Sequence, residues 1–510
     1  MFLIALSPIL WLIVALTVLH MPAWKACSAA LVIAWVAGIC ANDMTTAHAV
    51  QATLEGVALA CWPILLVIIA AIFTYNLSLA TKGMDVIKKM LTSVSSDRRV
   101  LILLIGWGFG GFLEGMAGFG TAIAIPAGML AGLGVNPVLS AAVCLIANSV
   151  PTAYGSIGIP LVTLGNVTAI PAGELAVYTS LQLGIITLMC PFLMTITAGG
   201  SMKALRGMIP LCLISGLAFF VPEFIVASFM GPELAVVAGS IVTMGAIVAY
   251  ATKFPVNDPE YAMDMHDDGE RVTSHDGLVA WLPFILIFLF LLVTSKLIPA
   301  IHDPLTAIQT SVLIYDGPGG APYTFVWVAT PGVLIFLASF LGGHVQGASM
   351  PMMLKTLKET VIGLRFTIVT IITVIATAKV MGYAGMTHEI AETAVAATGT
   401  AYPAVAAFIG SIGTFITGSA TSSCVLFGKL QTDSALAIGA SPAVQAWVAA
   451  ANATGACAGK MISPQSIAIA VGAIGVTGVD SKLLHFAIKV YVPFIILMGL
   501  IVYFGQAFVG

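Results

Sequence analysis

Charge is scarce in this chain. Of its 510 residues, 19 are Lys or Arg and 22 are Asp or Glu, 8% in all. A soluble globular protein carries about 25% charged residues, so an ordinary water-facing surface is excluded. The formal net charge of −3 offers no basic face to a nucleic acid. Cysteine gives no scaffold either. The eight residues (Cys27, Cys40, Cys61, Cys144, Cys190, Cys212, Cys424, Cys457) include no C-x-x-C and lie in apolar stretches, which argues for buried thiols as small fillers and against disulfides or zinc. H-E-x-x-H, G-x-S-x-G and a paired acidic metal motif are all missing from the apolar segments. No enzyme activity, cofactor or metal is therefore expected, and none of the eight His has metal-ligand spacing. What the chain does have is apolar length. It is 59% hydrophobic with a mean hydropathy of +1.07, far too apolar for disorder.

A helix crossing a bilayer needs about 20 apolar residues. Fourteen apolar segments run from 2–20 to 484–509, and some, such as 137–150, are too short to cross alone. The expected fold is an all-α polytopic membrane protein with about 12–14 spans. The first run has no positive flank and reads as a retained span rather than a cleaved signal. Lys and Arg in short loops mark the cytoplasmic side. They cluster in 81–99 (Lys82, Lys88, Lys89, Arg98, Arg99), near 199–206 (Lys203, Arg206) and in 343–365 (Lys355, Lys358, Arg365). Loops 300–323 and 384–400 have none. Counting spans from these loops places both termini outside and 253–277 inside. That acidic loop lacks the ligand spacing of an EF-hand and reads as a solvated linker.

A weak self-match divides the chain. Phe112-Leu113-Glu114-Gly115-Met116-Ala117 aligns with Phe415-Ile416-Thr417-Gly418-Ser419-Ala420, and Ala147-Asn148-Ser149 with Ala451-Asn452-Ala453. In the same register Gly155 meets Gly459 and Pro160 meets Pro464. The Asn match carries weight because the chain has only seven Asn. Span 52–80 precedes a basic loop, whereas its mate 362–383 follows one, so the halves run in opposite senses. This is the inverted-repeat plan of many secondary transporters. The expected organisation is a first repeat over 1–206 (core about 99–198), connecting spans and the acidic loop over 207–277, and a second repeat over 278–510 (core about 401–509).

Glycine, proline and hydroxyls crowd 106–166 and 410–464. Broken backbone at membrane depth is tolerated only where protein or a water-filled cavity satisfies it. Half-helix N-termini there would aim free N–H groups at a common centre, which suits an anion. These regions read as two re-entrant hairpins and two interrupted helices, with Gly115, Gly118, Gly120, Gly418 and Gly459 as turn or hinge glycines. G-x-G-x-x-G at Gly106, Gly108 and Gly111 follows no strand, so it is not a dinucleotide site; close helix packing is the alternative for several glycines.

Two charges stand inside these regions, Glu114 and Lys460, and their repeat mates Thr417 and Ser156 are neutral. Lys460 would hold a carboxylate as a point charge. A carboxyl desolvated in a span favours its neutral form, so Glu114 could carry a proton. The alternative is a structural Glu–Lys pair. Asn148, Ser149, Asn452, Thr454, Ser422, Ser423 and Gln465 would supply neutral hydrogen bonds to a substrate, or cap helix breaks. Glu55, Glu174 and Lys379 rank lower, since Lys379 lies close enough to a span end to snorkel.

Leu113-Glu114-Gly115-Met116-Ala117-Gly118-Phe119-Gly120-Thr121, Ala147-Asn148-Ser149-Val150-Pro151 and Gly459-Lys460-Met461-Ile462-Ser463-Pro464-Gln465-Ser466-Ile467 resemble the signatures of the L-lactate permease family. The resemblance implies proton symport of L-lactate and related 2-hydroxymonocarboxylates (D-lactate, glycolate) across a bacterial inner membrane, with kinship to elevator-type carriers. The implied partners are a small monocarboxylate, a proton and the lipid bilayer, with a homodimer compatible. Ala420 and Cys424 stand where that family commonly has a polar residue and Asn, so substrate preference or coupling is open. A sodium-coupled carrier of another small organic anion is the alternative, and a passive anion channel fits the hairpins less well.

Overall fold

The structure, a computed structural model, describes residues 2–509 apart from 20, 119, 257, 264–271, 296 and 477, and leaves out the side chains of 16, 17 and 416. Asp264, Asp267, Asp268 and Glu270 of the acidic loop lie outside the described residues. Among the described residues, 10 helices are long and apolar enough to cross a bilayer, or up to 12 if each of two bent pairs counts as one span. Apolar helices Phe2–Ile13, Thr121–Gly132 and Pro331–Val345 are shorter, which is why fewer full spans appear than apolar segments. The one sheet among the described residues is a hairpin, Gln309–Val312 with Tyr323–Val326; its first strand lies in a stretch expected to be loop, and its second takes the start of the span expected over 324–342, whose helix begins only at Pro331. Six of the eight thiols are buried as expected; Cys40 and Cys61 are exposed.

Hydrogen bonds sort the loops into two faces. Arg99 donates to the carbonyls of Ala204 (3.0 Å) and Arg206 (3.3 Å) and pairs with Asp97 (2.7 Å) and Asp258 (3.7 Å). Gln346 accepts from Thr81 (2.7 Å) and donates to Ala280 O (3.0 Å). The basic loops and the acidic linker thus share one end, called the basic face here. At the other end Asn42 donates to Glu389 (3.3 Å), and His48 meets Asp316 (3.6 Å) beneath the β-hairpin. Lys379 does not snorkel. It pairs with Glu55 at 2.7 Å, and Tyr383 donates to the same carboxylate oxygen at 2.7 Å.

The irregular regions fold as two hairpins and two bent helix pairs. The first hairpin joins Arg98–Met116 to Thr121–Gly132 and returns to the basic face, where Arg98, Leu133, Asn136 and Gly199 line one shallow depression. The second joins Tyr402–Thr417 to Ala420–Ala437, with Tyr402 bonded to Gln431 at its open end (2.8 Å). That end follows Met386–Thr398, whose Glu389 marks the opposite face. Between the hairpins lie the bent pairs, Pro137–Asn148 with Pro151–Thr168 (60°) and Pro442–Ile462 with Pro464–Ile474 (46°). Ser463 stops the second pair and restarts it: its hydroxyl accepts from Ser466 N (3.1 Å), with Pro464 at the first helical position.

Several glycines are packing residues. Cβ atoms at Gly455 and Gly459 would collide with the carbonyls of Ala407 and Ser411 on the second hairpin. Gly459 is therefore no hinge: it sits in regular helix, and the bend falls at Ser463. Gly115 likewise lies in helix, against Val236 and Val237. The helices Ile209–Phe229 and Ala235–Lys253, expected to be connectors, wall the first core: Phe219 packs at a tilt on Trp107 at 4.4 Å, and Gly111 rests on Phe219 and Ser240. Gly455→Val is expected to destabilise the protein by about 1–3 kcal/mol or more, seen as a lower thermal unfolding midpoint in detergent; an unchanged midpoint would refute this close packing.

Candidate functional site

The hairpin tips and helix breaks meet around one cavity of about 590 Å³. Glu114 and Gly118 come from the first hairpin, Thr152, Gly155 and Ser156 from the first break, Thr417 to Ser422 from the second hairpin, and Lys460 and Gln465 from the second bent pair. Pro22 to Lys25 and Phe366 to Ile371 complete the wall. These last segments begin helices whose other ends, Asn42 and Tyr383, lie at the far face. The cavity therefore opens at the basic face. There Trp24 stacks on Phe366 (5.5 Å), with Lys25 over the first ring and Arg365 over the second.

The two halves are tied in the same way. Ser156 donates to Ala117 O (2.7 Å), and its repeat mate Lys460 donates to Gly418 O (2.9 Å). In each half a side chain from the broken helix holds a carbonyl at the hairpin turn. Those turns need glycine: Gly118 and Gly418 sit at φ +63° and +67°. The first break is strained. Ser156, Ile157 and Gly158 are all left-handed, with φ of 48°, 58° and 73°, and such geometry in a non-glycine residue costs about 1–3 kcal/mol.

Two helix N-termini face the cavity, those of Ala420–Ala437 and Pro464–Ile474, which line it through Ala420, Thr421 and Gln465. Their free N–H groups favour an anion. Lys460 is 7% exposed and spends one of its three donors on Gly418, which leaves two for a ligand. Glu114 is 3% exposed, and its Oε2 finds no partner among the described residues. Its other oxygen lies 2.7 Å from where a Cβ on Gly155 would stand, so the carboxylate packs directly on that glycine. The two charges act on each other without an ion pair inside 4.0 Å, since the ammonium is held by the Gly418 carbonyl.

Of the residues expected from sequence, Glu114, Gly118, Gly418, Ser422, Lys460 and Gln465 share this cavity. Gly120 sits just behind it, against Ile469. Ser423, Asn452, Thr454 and Ser149 do not line it. Ser423 donates to Gly410 O (2.7 Å), Asn452 accepts from Gln431 (3.2 Å), Thr454 donates to Gln182 (3.1 Å) and Ser149 to Ile146 O (2.6 Å). These bonds satisfy polar groups between packed helices, where nothing else could. Asn148 is also off the lining; it is 2% exposed, with neither amide atom bonded among the described residues. Of the two departures from the family pattern, Ala420 lines the cavity and Cys424 is buried behind it. Sequence reasoning missed Trp24, Lys25 and Phe366, which look like ordinary interfacial residues, and Glu223, an acid within the apolar run Phe219 to Phe229. Among the described residues no group of three or more His, Cys, Asp or Glu is placed to hold a metal ion.

The family model described as L-lactate permease matches residues 1–509. The chain belongs to the L-lactate permease family. An L-lactate permease of Streptococcus iniae is 41% identical over 89% of this chain and 94% of its own length. The glycolate permease GlcA of Escherichia coli strain K12 is 32% identical over 98% and 94%. The solved structure of MtrF from Neisseria gonorrhoeae, described among antimetabolite efflux pumps, aligns at a TM-score of 0.46 and 15% identity, covering 88% of this chain and 83% of that one. As a member of a permease family with many apolar spans, the lactate permease homologue is a multi-pass membrane transport protein rather than an enzyme. Removing the cavity ammonium should weaken anion binding. Lys460→Met is expected to lose about 1.5–3 kcal/mol, roughly 10- to 150-fold in affinity, read by thermal stabilisation with small carboxylates; a loss below threefold would remove Lys460 from the site.

Proposed function

We propose that this chain is a secondary active carrier, moving L-lactate, glycolate and related short 2-hydroxymonocarboxylates together with a proton. One observation carries the reading: one cavity, open to the basic face, holds one ammonium and one carboxyl beneath two converging helix N-termini. Relatives named L-lactate permease and glycolate permease support the substrate class.

Charge balance supports the coupling. In the empty carrier Lys460 and an ionised Glu114 sum to zero. An entering monoanion takes over Lys460, which leaves the Glu114 carboxylate, itself 3% exposed, without a counter-charge. Desolvating that second negative charge is so costly that the group takes a proton instead. The loaded cavity is again neutral, and one proton travels with one anion. The substrate carboxylate would sit on Lys460 and the backbone N–H groups that begin at Ala420 and Gln465, with its hydroxyl toward Ser422 or the Gln465 side chain. At about 30 Å³ per water, the cavity would hold roughly twenty waters, whereas lactate has six non-hydrogen atoms. The site therefore has room for larger 2-hydroxy acids, and Ala420 leaves space where related carriers commonly have a polar side chain.

We further read residues 1–206 and 278–510 as oppositely oriented repeats joined by 207–277, in a bacterial inner membrane with both termini outside. The basic face then lies in the cytoplasm, and the cavity opens inward.

A one-unit proton gradient stores about 1.4 kcal/mol, so 1:1 symport should drive roughly tenfold accumulation of labelled lactate or glycolate in proteoliposomes. Replacing sodium by choline should change nothing, and Glu114→Gln should abolish the gradient-driven component. Uptake that follows sodium and ignores pH would overturn proton coupling. For orientation, an impermeant thiol reagent applied to intact cells should label Ser311→Cys and spare Ser93→Cys, in a background with Cys40 and Cys61 changed to Ala. The reverse pattern would invert the topology.

A further inference from the structure

Glu223 is a second buried carboxyl, outside the cavity. It is 1% exposed, on the helix Ile209–Phe229. Ser180 reaches its Oε1 at 3.4 Å, and its Oε2 finds no partner among the described residues. Among the described residues its partner is the Ser180 hydroxyl, with no cation in ion-pair contact. The helix Ala172–Gly199 offers Ser180, the first break offers Tyr154, Ala235–Lys253 offers Gly239 at packing distance, and Pro442–Ile462 offers the Cys457 thiol, which feels both Glu223 and Glu114. A carboxylate in such a site would be a lone buried charge, and groups so placed neutralise by taking a proton.

The hydroxyls continue from there. Ser180 Oγ and Tyr154 OH are 2.6 Å apart, and Tyr154 OH also lies 2.6 Å from Ala176 O. Counting protons gives two complete arrangements. With Glu223 protonated, its O–H donates to Ser180, Ser180 donates to Tyr154, and Tyr154 donates to the Ala176 carbonyl. With Glu223 ionised, Tyr154 donates to Ser180 and Ser180 donates to the carboxylate, so the Ala176 carbonyl loses its tyrosine. Each hydroxyl keeps one proton throughout, and only the proton on Glu223 is gained or lost. Tyr154 is the last residue of the short turn Pro151–Tyr154, immediately before Gly155 and the three left-handed residues of the break. The chain of hydroxyls thus ends on the strained joint that also shelters Glu114.

We propose that Glu223 is a second proton-binding carboxyl of the carrier, wired through Ser180 and Tyr154 to the first helix break, so that its protonation sets the conformation of that break. It acts on the cavity through Tyr154, as a positioning residue. This rests on the carboxylate-carrier reading only for its transport readout.

The direct measurement is infrared difference spectroscopy of the purified full chain, titrated in pH without substrate. Glu223→Gln should delete one protonated-carboxyl C=O band that Glu114→Gln leaves in place. The second measurement is lactate counterflow at equal pH on both sides. Once Glu223 ionises, wild-type exchange should fall by about tenfold per pH unit, the behaviour of one titrating group. Glu223→Gln, whose amide can donate to Ser180, and Tyr154→Phe, which cuts the wire, should both flatten that limb. Retention of every carboxyl band in Glu223→Gln would overturn the proposal, and so would identical pH profiles in all three proteins. If wild type shows no lactate counterflow, the transport reading fails, and the infrared result alone decides whether Glu223 binds a proton.

Discussion

The lack of water at membrane depth governs this structure. Every backbone group freed by a helix break must find a partner inside the protein. At the two hairpin turns the partners come from the broken helix of the same half, Ser156 on Ala117 O and Lys460 on Gly418 O. The same constraint explains the capping serines at 419 and 463 and the glycines that let Pro442–Ile462 lie against the second hairpin. Because the turns are held from outside their own element, each hairpin tip and its facing break form one mechanical unit.

That arrangement also concentrates electrostatics. Two half-helix N-termini and a buried ammonium are aimed at one cavity walled by protein, where partial charges interact more strongly than in bulk water. The ammonium does double duty, holding a turn carbonyl while presenting its remaining donors to the cavity. The asymmetry between the halves is one of charge. Serine and lysine occupy mated positions with the same structural bond, and only the lysine brings a charge. Glutamate and threonine at the other mated pair likewise share the cavity wall.

Much of this was legible in the sequence. Glycine and proline runs marked the breaks, because those residues are rarely clustered in uninterrupted helix. A charge inside an apolar run marked the site, because burial makes it costly enough to be rare. The self-match at Asn148 and Asn452 located the broken helices, yet those side chains do not reach the cavity: Asn452 is spent on Gln431. A matched residue reports a shared backbone position, and the partner it bonds depends on which helix packs beside it. Glu223 escaped notice because its span was assigned to a connector, although the criterion that picked out Glu114 applies to it equally.

The sequence alone determined the class, the two broken regions and the two charged residues of the cavity, since composition and local breaks depend only on neighbours along the chain. Tertiary structure alone decided which hydroxyls face the cavity, that Gly459 packs rather than bends, that Lys379 pairs with Glu55, and that Lys25 and Phe366 stand at the mouth. Those outcomes depend on how segments some 300 residues apart in sequence approach each other. No local pattern encodes the facing surface of a helix that far away.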